Sequence, residues 1–303
     1  MSSVVGIIYN ATRPGATEAA ADCRQFLMAQ GCEVIRFNEF SGIQQFPVLT
    51  NEDLPSAPPA DFYVVFGGDG TILYAARCMV PHQTPLLGVN MGTLGFMSEA
   101  GRTDWEEAIL AAIRGECRIE ERLMLEAHVD RGGEVVGHFT VLNDFVVAKG
   151  SFARLIDLTL FVEDYEVTTL AADGLIVGTP TGSTAYSLSA GGPIVAPDVS
   201  AILVTPICPH SLSARPLVVS SEHRVTILVR PRHESGIALT ADGQLGLPLL
   251  SGDRITIAAS PYKARFLRRS GHDFYRILRD KLQWGYSAYP TGDVTAHDPG
   301  STP

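Results

Sequence analysis

Long apolar runs are missing from this 303-residue chain; none approaches the ~20 residues needed to cross a bilayer. Asn10, Arg13, Asp22 and Arg24 break the N-terminal region too early for a signal or transit peptide. A soluble, non-exported, cytoplasmic protein with no membrane partner is expected. Positive charge is also short: 23 Lys and Arg face 33 Asp and Glu, a net −10, which opposes the counterion release that drives general nucleic-acid binding. No nucleic-acid partner is expected. Cysteine is sparse and unpatterned. Cys23, Cys32, Cys78, Cys117 and Cys208 form no CxxC and are odd in number, as in a reducing compartment where thiols are small buried groups. The sequon Asn10-Ala11-Thr12 is then without consequence.

Several signatures are lacking too. No GxGxxG opens a helix and no GxxxxGK[ST] occurs, which disfavours a standard nucleotide-dependent dehydrogenase and a P-loop enzyme. HExxH and GxSxG are absent, and the eight histidines show no metal-ligand spacing, so no protein-held metal is expected. Ser260-Pro261-Tyr262-Lys263 fits SxxK without a companion motif and is read as chance. His210 reads as a loop or packed histidine. Lys263, Arg265, Arg268 and Arg269 read as a solvated strand face that could assist a phosphorylated substrate.

What is present describes a globular chain about twice the length of a typical domain. It is 46% hydrophobic and 18% charged, which argues against disorder. Val4–Tyr9 reads as a buried strand, and Ala19, Ala20, Cys23, Phe26 and Leu27 have helical spacing, with Gly31 as the closing residue. Strands are expected at Val34–Phe37, Phe62–Phe66 and Leu86–Val89. Helices should follow Gly70, to about Met79, and span Thr103–Gly115, with Thr103 and Glu106 as a capping box. This is a βαβ layout with a parallel sheet. After Arg118 the rhythm changes to short strands with turn signals at Gly132-Gly133, Lys149-Gly150, Asp242-Gly243 and Ser251-Gly252. A second, β-rich unit is implied, with alternating segments such as Arg154–Val162, Arg224–Val229 and Arg254–Ala258. A helical stretch, His272–Trp284, precedes a tail without periodicity, residues 286–303, expected to be disordered.

Two glycine-rich segments carry chemistry. Strand, Gly67-Gly68-Asp69-Gly70-Thr71, helix lets bare backbone approach a ligand and points amides at a polyphosphate. A carboxylate there repels its own ligand, so Asp69 needs another reason: a base for a nucleophilic hydroxyl, or an indirect metal contact. The plainer alternative is a tight βα turn with an N-capping Asp. The second segment, Asp173 to Pro193, crowds glycines and hydroxyls behind an apolar strand and suits a nucleoside site. A turn plus a short capped helix would explain Pro180 and Ser183 equally well. Asn143-Asp144 alone reads as an ordinary turn.

Taken together, these segments closely resemble the NAD kinase family, which uses ATP or polyphosphate as donor. The first block alone would fit a wider superfamily of lipid and sugar kinases. Asp173-Gly174-Leu175-Ile176-Val177 and the run from Thr179 to Pro193 resemble the family's long signature, and Asn90–Phe96, Asn143-Asp144 and Pro209–Pro216 match family positions. The resemblance covers most of Val4–Leu282.

It implies a Rossmann-like α/β N-terminal domain (1–115) and a β-rich NAD-binding domain (116–261). It also implies that a C-terminal segment (262–285) returns its helix to the first domain. The implied activity is transfer of the ATP γ-phosphoryl group to the adenosine-ribose 2′-hydroxyl of NAD, with Mg²⁺ delivered by ATP. Asp69 would act on that hydroxyl, and Gly67, Gly68, Gly70 and Thr71 would contact phosphates. Asn143, Asp144, Asp173, Thr184, Ala185, Tyr186, Ser187, Leu188 and Ser189 would line the NAD site, Phe96 would lie beside the adenine, and Arg154 and Gln244 would add dinucleotide contacts. A homodimer or homotetramer is implied. Asp144 stands where many members have Glu, Ala171-Ala172 where many have a basic residue, and Gly178 where Ser or Ala is common. A non-catalytic dinucleotide sensor and a lipid or sugar kinase are the alternatives.

Overall fold

The computed structural model describes residues 3–40, 56–80, 82–92, 95–150, 155–230, 236–270 and 274–284. Arg154 and the tail 286–303 lie outside the described residues.

The first third alternates as the apolar spacing requires: β1 (Val4–Asn10), α1 (Ala16–Ala29), β2 (Glu33–Phe40), β3 (Phe62–Gly67), α2 (Asp69–Cys78), β4 (Leu86–Asn90) and α3 (Trp105–Ile113). Helix α1 turns Ala16, Ala20, Cys23 and Leu27 inward, positions one face of a 3.6-residue helix can share. Burying the Leu27 side chain is worth ~1.5–3 kcal/mol, and the smaller alanines less. All six β3 residues are buried because helices cover both faces of the sheet. One layer joins α1, α3 and Trp105 to Phe66 and Val89; the other joins α2 to Tyr63, Val65 and Phe266. Gly6 is required where the Tyr63 ring crosses β1, since a Cβ there would come within 2.0 Å of Tyr63 Cε1.

The remaining strands are β5 (Arg118–Arg131), β6 (Glu134–Val141), β7 (Asp144–Lys149), β8 (Ile156–Val162), β9 (Tyr165–Ala172), β10 (Gly174–Gly178), β11 (Ala201–Ile207), β12 (Leu217–Ser220), β13 (Val225–Val229), β14 (Ile237–Ala241), β15 (Leu245–Leu249) and β16 (Arg254–Arg268). Two short helices complete the chain, α4 (Tyr186–Ser189) and α5 (Phe274–Leu282). A 10-stranded sheet runs β2-β1-β3-β4-β16-β13-β8-β9, with β5 pairing β16 and β6, and a six-stranded antiparallel sheet runs β12-β11-β10-β7-β14-β15. Leu125, Phe139, Phe145, Leu175, Ile227 and Leu239 come from both sheets and form the core between them. Strand β16 joins the two regimes: it is antiparallel to β5 and β13, then parallel to β4 at Phe266↔Leu86.

Two expectations are corrected. Helix α3 starts at Trp105, with Asp104 at the N-cap and no side-chain cap bond, so Thr103 and Glu106 form no capping box. The Asp104 carboxylate is drawn away to the Gly101 N–H and to Arg269. The basic cluster is a solvated face only in part: Lys263 is exposed, and Arg268 is not. Arg268 is 1% exposed and is held by Glu99 and Glu120.

Candidate active site at the crevice between the first βα loops

The order β2-β1-β3-β4 reverses direction between β1 and β3. In open α/β sheets that point leaves a crevice at the carboxyl ends of the strands, where ligands bind. Here Asn10 ends β1 and Gly67 ends β3, and the Asn10 amide donates to Thr71 Oγ1 at 3.4 Å. Asn10 Oδ1 also accepts from the Thr12 N–H and hydroxyl, which folds the β1–α1 loop back on itself. That loop brings the Arg13 guanidinium beside Gly68, Nη2 lying 3.7 Å from where a Cβ would stand.

Gly67 and Gly68 serve different ends. A Cβ on Gly67 would meet Thr71 Oγ1 at 2.3 Å, so its bareness lets the threonine turn inward. Gly68 is the extended N-cap of α2, and no side chain caps the helix there. The first-turn amides of a helix have no partner within it and carry partial positive charge. A phosphate can take that place.

Asp69, half-buried, is the first residue of α2. Its Oδ2 accepts the Phe96 backbone N–H at 3.1 Å, and its Oδ1 the Met97 N–H at 3.4 Å. Gly95 makes room: a Cβ there would lie 1.9 Å from Asp69 Oδ1. The loop is itself braced, because buried Arg268 donates to the Met97 carbonyl at 3.0 Å. Burial raises the Glu120 carboxyl, but Arg268 and Arg122 outweigh it and hold the group below the usual carboxylate range. Arg122 in turn reaches Thr181 Oγ1 at 3.3 Å.

The second unit meets this crevice at one end of its six-stranded sheet. Register places Asp144 opposite Gly178, so Asn143, Asp144 and the turn after β10 share that end. The Asp242 carboxylate accepts the backbone N–H groups of Leu142, Asn143 and Asp144 at 3.1, 2.8 and 3.2 Å. Asn143 Oδ1 is buried with no hydrogen-bond partner, an acceptor left for a ligand. Burial pushes the Asp144 carboxyl up to about 7, and the Asp242 charge adds to it. A neutral Asp144 would carry a donor as well as an acceptor.

The hydroxyl-rich segment forms a 3₁₀ turn, Thr181–Thr184, running into α4. Much of its polarity is spent internally. Thr179 Oγ1 donates to the Leu142 carbonyl and accepts the Gly182 N–H; Ser183 exchanges two bonds with the Val195 backbone; Ser187 is buried and bonded to Thr205. Gly182 has no room for a side chain, since its Cβ would lie 2.2 Å from the Asn143 carbonyl. Thr184, Ala185, Tyr186, Leu188 and Ser189 reach the surface to differing degrees. Asp173 is placed apart. It precedes β10 and pairs with Lys149 at 2.8 Å, six residues and roughly 20 Å of extended chain from Thr179.

Phe96 is partly exposed. The Phe274 ring lies 6.2 Å from it and the Lys281 ammonium 5.4 Å above it, which returns α5 to the first unit. A cavity of about 240 Å³ opens beside it, bounded by Phe96, Arg118, Arg122, Phe274 and Tyr275 among others. A larger cleft of about 470 Å³ lies over α3, but Glu99, Glu107 and Glu116 face it and none of the phosphate-loop residues does. Arg114 and Arg269 also line it, and Arg269 is paired with Glu99.

Three residues escaped sequence reasoning. Asn10 was legible as a polar break in the N-terminal region and as an idle sequon. Arg77 is a charge on the otherwise buried stripe of α2, a signal visible in the spacing. Asp242 was read as half of a turn signal, and nothing in the sequence indicates that its carboxylate gathers three amides.

A parallel sheet with a glycine-rich loop at a helix start, a carboxylate held at its mouth and a β-rich second unit packed beside it define the class, a nucleotide-dependent phosphotransferase. The comparisons are more specific. Residues 5–117 match the family model for the ATP-NAD kinase N-terminal domain, and residues 142–269 the ATP-NAD kinase C-terminal domain. The NAD kinase of Desulforamulus reducens is 44% identical over 285 residues, 93% of this chain and 97% of the relative. That of Carboxydothermus hydrogenoformans is 47% identical over 223 residues, 74% and 79% respectively. Among solved structures, yeast NADH kinase complexed with NADH matches at a TM-score of 0.83 and 27% identity, over 96% of this chain and 90% of that one. An Archaeoglobus fulgidus NAD kinase in complex with ATP matches at 0.70 and 27%, over 92% and 98%. The chain belongs to the NAD kinase family.

Proposed function

We infer that this chain transfers the γ-phosphoryl group of ATP to the adenosine-ribose 2′-hydroxyl of NAD, giving NADP and ADP. One observation carries the reading beyond family membership: Asp69 stands at the start of α2, held by the Phe96 and Met97 amides, at the mouth of a bare phosphate loop. A pure binder gains nothing from a carboxylate beside phosphates, whereas phosphoryl transfer needs a group that orients the attacking hydroxyl.

In this reading Gly67, Gly68, Gly70 and Thr71 hold donor phosphates with backbone amides, and Arg13 adds positive charge at Gly68. The NAD site takes Asn143 and Asp144, the exposed part of Thr184–Ser189, and Phe96 beside the adenine. The ribose 2′-oxygen attacks Pγ, the bond from Pγ to the β,γ-bridging oxygen breaks, ADP leaves, and the hydroxyl proton passes to Asp69 Oδ1 or Oδ2. Among the described residues no group of three or more His, Cys, Asp and Glu is placed to hold a metal ion. The divalent cation, Mg²⁺, comes as part of the substrate MgATP and neutralises charge on its phosphates.

A cytoplasmic setting is supported by the five free cysteines. No described helix is long and apolar enough to cross a membrane. Homo-oligomerisation rests on the family resemblance, and size-exclusion chromatography with light scattering tests it.

The experiment is NADP formation from NAD, ATP and Mg²⁺ by the wild-type chain and Asp69→Asn. Loss of a general base lowers rate by ~10²–10⁴-fold. Near-normal turnover in the variant, at unchanged KM for both substrates, removes Asp69 from the chemistry. Binding of NAD by the wild type without any NADP would favour a sensor instead.

A further inference from the structure

Between the phosphate loop and the Asn143-Asp144 turn runs a closed chain of side-chain contacts that the reaction as described does not use. It starts at the Gly70 carbonyl, which accepts Gln244 Nε2 at 2.6 Å. Gln244 Oε1 accepts from Arg77 Nη2, and Arg77 Nη1 donates to Asp242 Oδ2 at 2.8 Å. The same Asp242 carboxylate takes the amides of Leu142, Asn143 and Asp144. The chain runs from Gly70 at the start of α2 to Arg77 in its last turn, and crosses to the β14–β15 hairpin and the β6–β7 turn in the second unit.

The physical cost of this arrangement is large. The Arg77 and Asp242 side chains are 1% and 0% exposed, and a buried ion pair is often no more stable than apolar residues of the same volume. Asp242 and Gly243 both stand at positive φ, +50° and +62°, which an Asp-Gly pair adopts readily. The Gln244 N–H closes that turn onto the Ala241 carbonyl at 2.9 Å, a tight hairpin turn of the kind an Asp-Gly pair favours. Costly, over-determined geometry at a cleft is the pattern of a device that fixes position.

We propose that Gln244, held by Arg77 and Asp242, is a positioning residue that sets the distance between the donor phosphate and the acceptor ribose. The proposal rests on the phosphotransfer reading above. Asp69 and Gly70 are neighbours on one helix start, so a strut on the Gly70 carbonyl fixes Asp69 and the phosphate amides relative to Asn143. In-line transfer depends on that registration, and a misplacement of about 1 Å can cost ~10²-fold in rate. Gln244 supplies a donor to Gly70 and an acceptor to Arg77, and the two halves can be separated by substitution.

Two variants test this at saturating ATP. Gln244→Ala removes both halves. Gln244→Glu keeps an acceptor for Arg77, now charge-assisted, and loses the donor to Gly70. Both should lose ~10–10²-fold in kcat with KM for NAD little changed, since no binding shared equally by ground and transition states is removed. The thermal midpoint of Gln244→Glu should equal or exceed that of wild type. The proposal is overturned by kcat within twofold of wild type in either variant, by a raised KM for NAD at unchanged kcat, or by a kcat loss that follows a fall in midpoint. Failure of the wild type to make NADP in the same assay would instead overturn the NAD kinase reading.

Discussion

The Phe96 backbone N–H donates to Asp69 Oδ2 at 3.1 Å, so the residue that would flank the adenine and the residue that would orient the ribose hydroxyl are fixed to one another through main chain. Adenine and 2′-oxygen belong to the same nucleoside. A rigid link between their two partners sets the acceptor's approach before the donor is considered.

That link depends on a missing side chain. Gly95→Ala would place a Cβ 1.9 Å from Asp69 Oδ1 and 2.6 Å from its Cγ, forcing the carboxylate to swing away. The expected result is a kcat loss of ~10²-fold with the unfolding midpoint little changed. Full activity in steady-state assays would mean that Asp69 works in more than one position.

Asp144 makes stability depend on pH. Its carboxyl titrates at about 7 in the fold because of burial and the Asp242 charge, against ~3.9 in an unfolded chain. Between those values the fold binds the extra proton, so this group's contribution is full below about 4 and is lost as pH rises through about 7. Asp144→Asn should flatten that decline and raise stability at pH 8, by up to about 4 kcal/mol if the whole shift is recovered. Urea unfolding at pH 5 and pH 8 decides it; an unchanged slope between the two would refute the assignment.

Arg268 is the brace behind the Asp69 loop. Arg268→Met would strip the Met97 carbonyl of a donor and weaken the hold on Glu99 and Glu120, both largely buried. Arg269 and Arg122 still pair Glu99 and Glu120, so the cost should fall below the ~3–5 kcal/mol of leaving a buried charge unpaired. Chemical denaturation should show that loss, and a variant as stable as wild type would mean the loop is held by other contacts.

Thiol reactivity should split by burial. Burial pushes Cys23 up to about 12 and Cys78 to about 11, whereas Cys208 is exposed. The thiolate is the reactive form, so a thiol reagent at pH 7.5 should label Cys208 in the native protein and reach Cys23 and Cys78 only on unfolding. Peptide mapping by mass spectrometry reads this directly, and rapid native labelling of Cys23 would contradict the packing of α1.

Local patterning in the sequence was enough for β1, α1, β3, α2 and β4, because apolar period and glycine punctuation act within a few residues. It also drew attention to Asp69, since a carboxylate in a glycine-rich loop at a helix start calls for a chemical reason. It failed at Thr103-Glu106, where a local capping preference was overruled by the pull of Arg269 on Asp104. It failed again at Arg268, because a sequence does not show that Glu99 and Glu120 lie on either side of it.

Arg77, Asp242 and Gln244 show the boundary most plainly, being separated by 165 and 167 positions along the chain. The sequence by itself determined which segments become strands and helices and which loop leaves its backbone bare, since these follow from backbone sterics and side-chain period. Only the tertiary structure decided which distant charges meet and which amide faces which carboxylate, because a buried polar group finds its partner in space wherever the packed sheets bring one within reach.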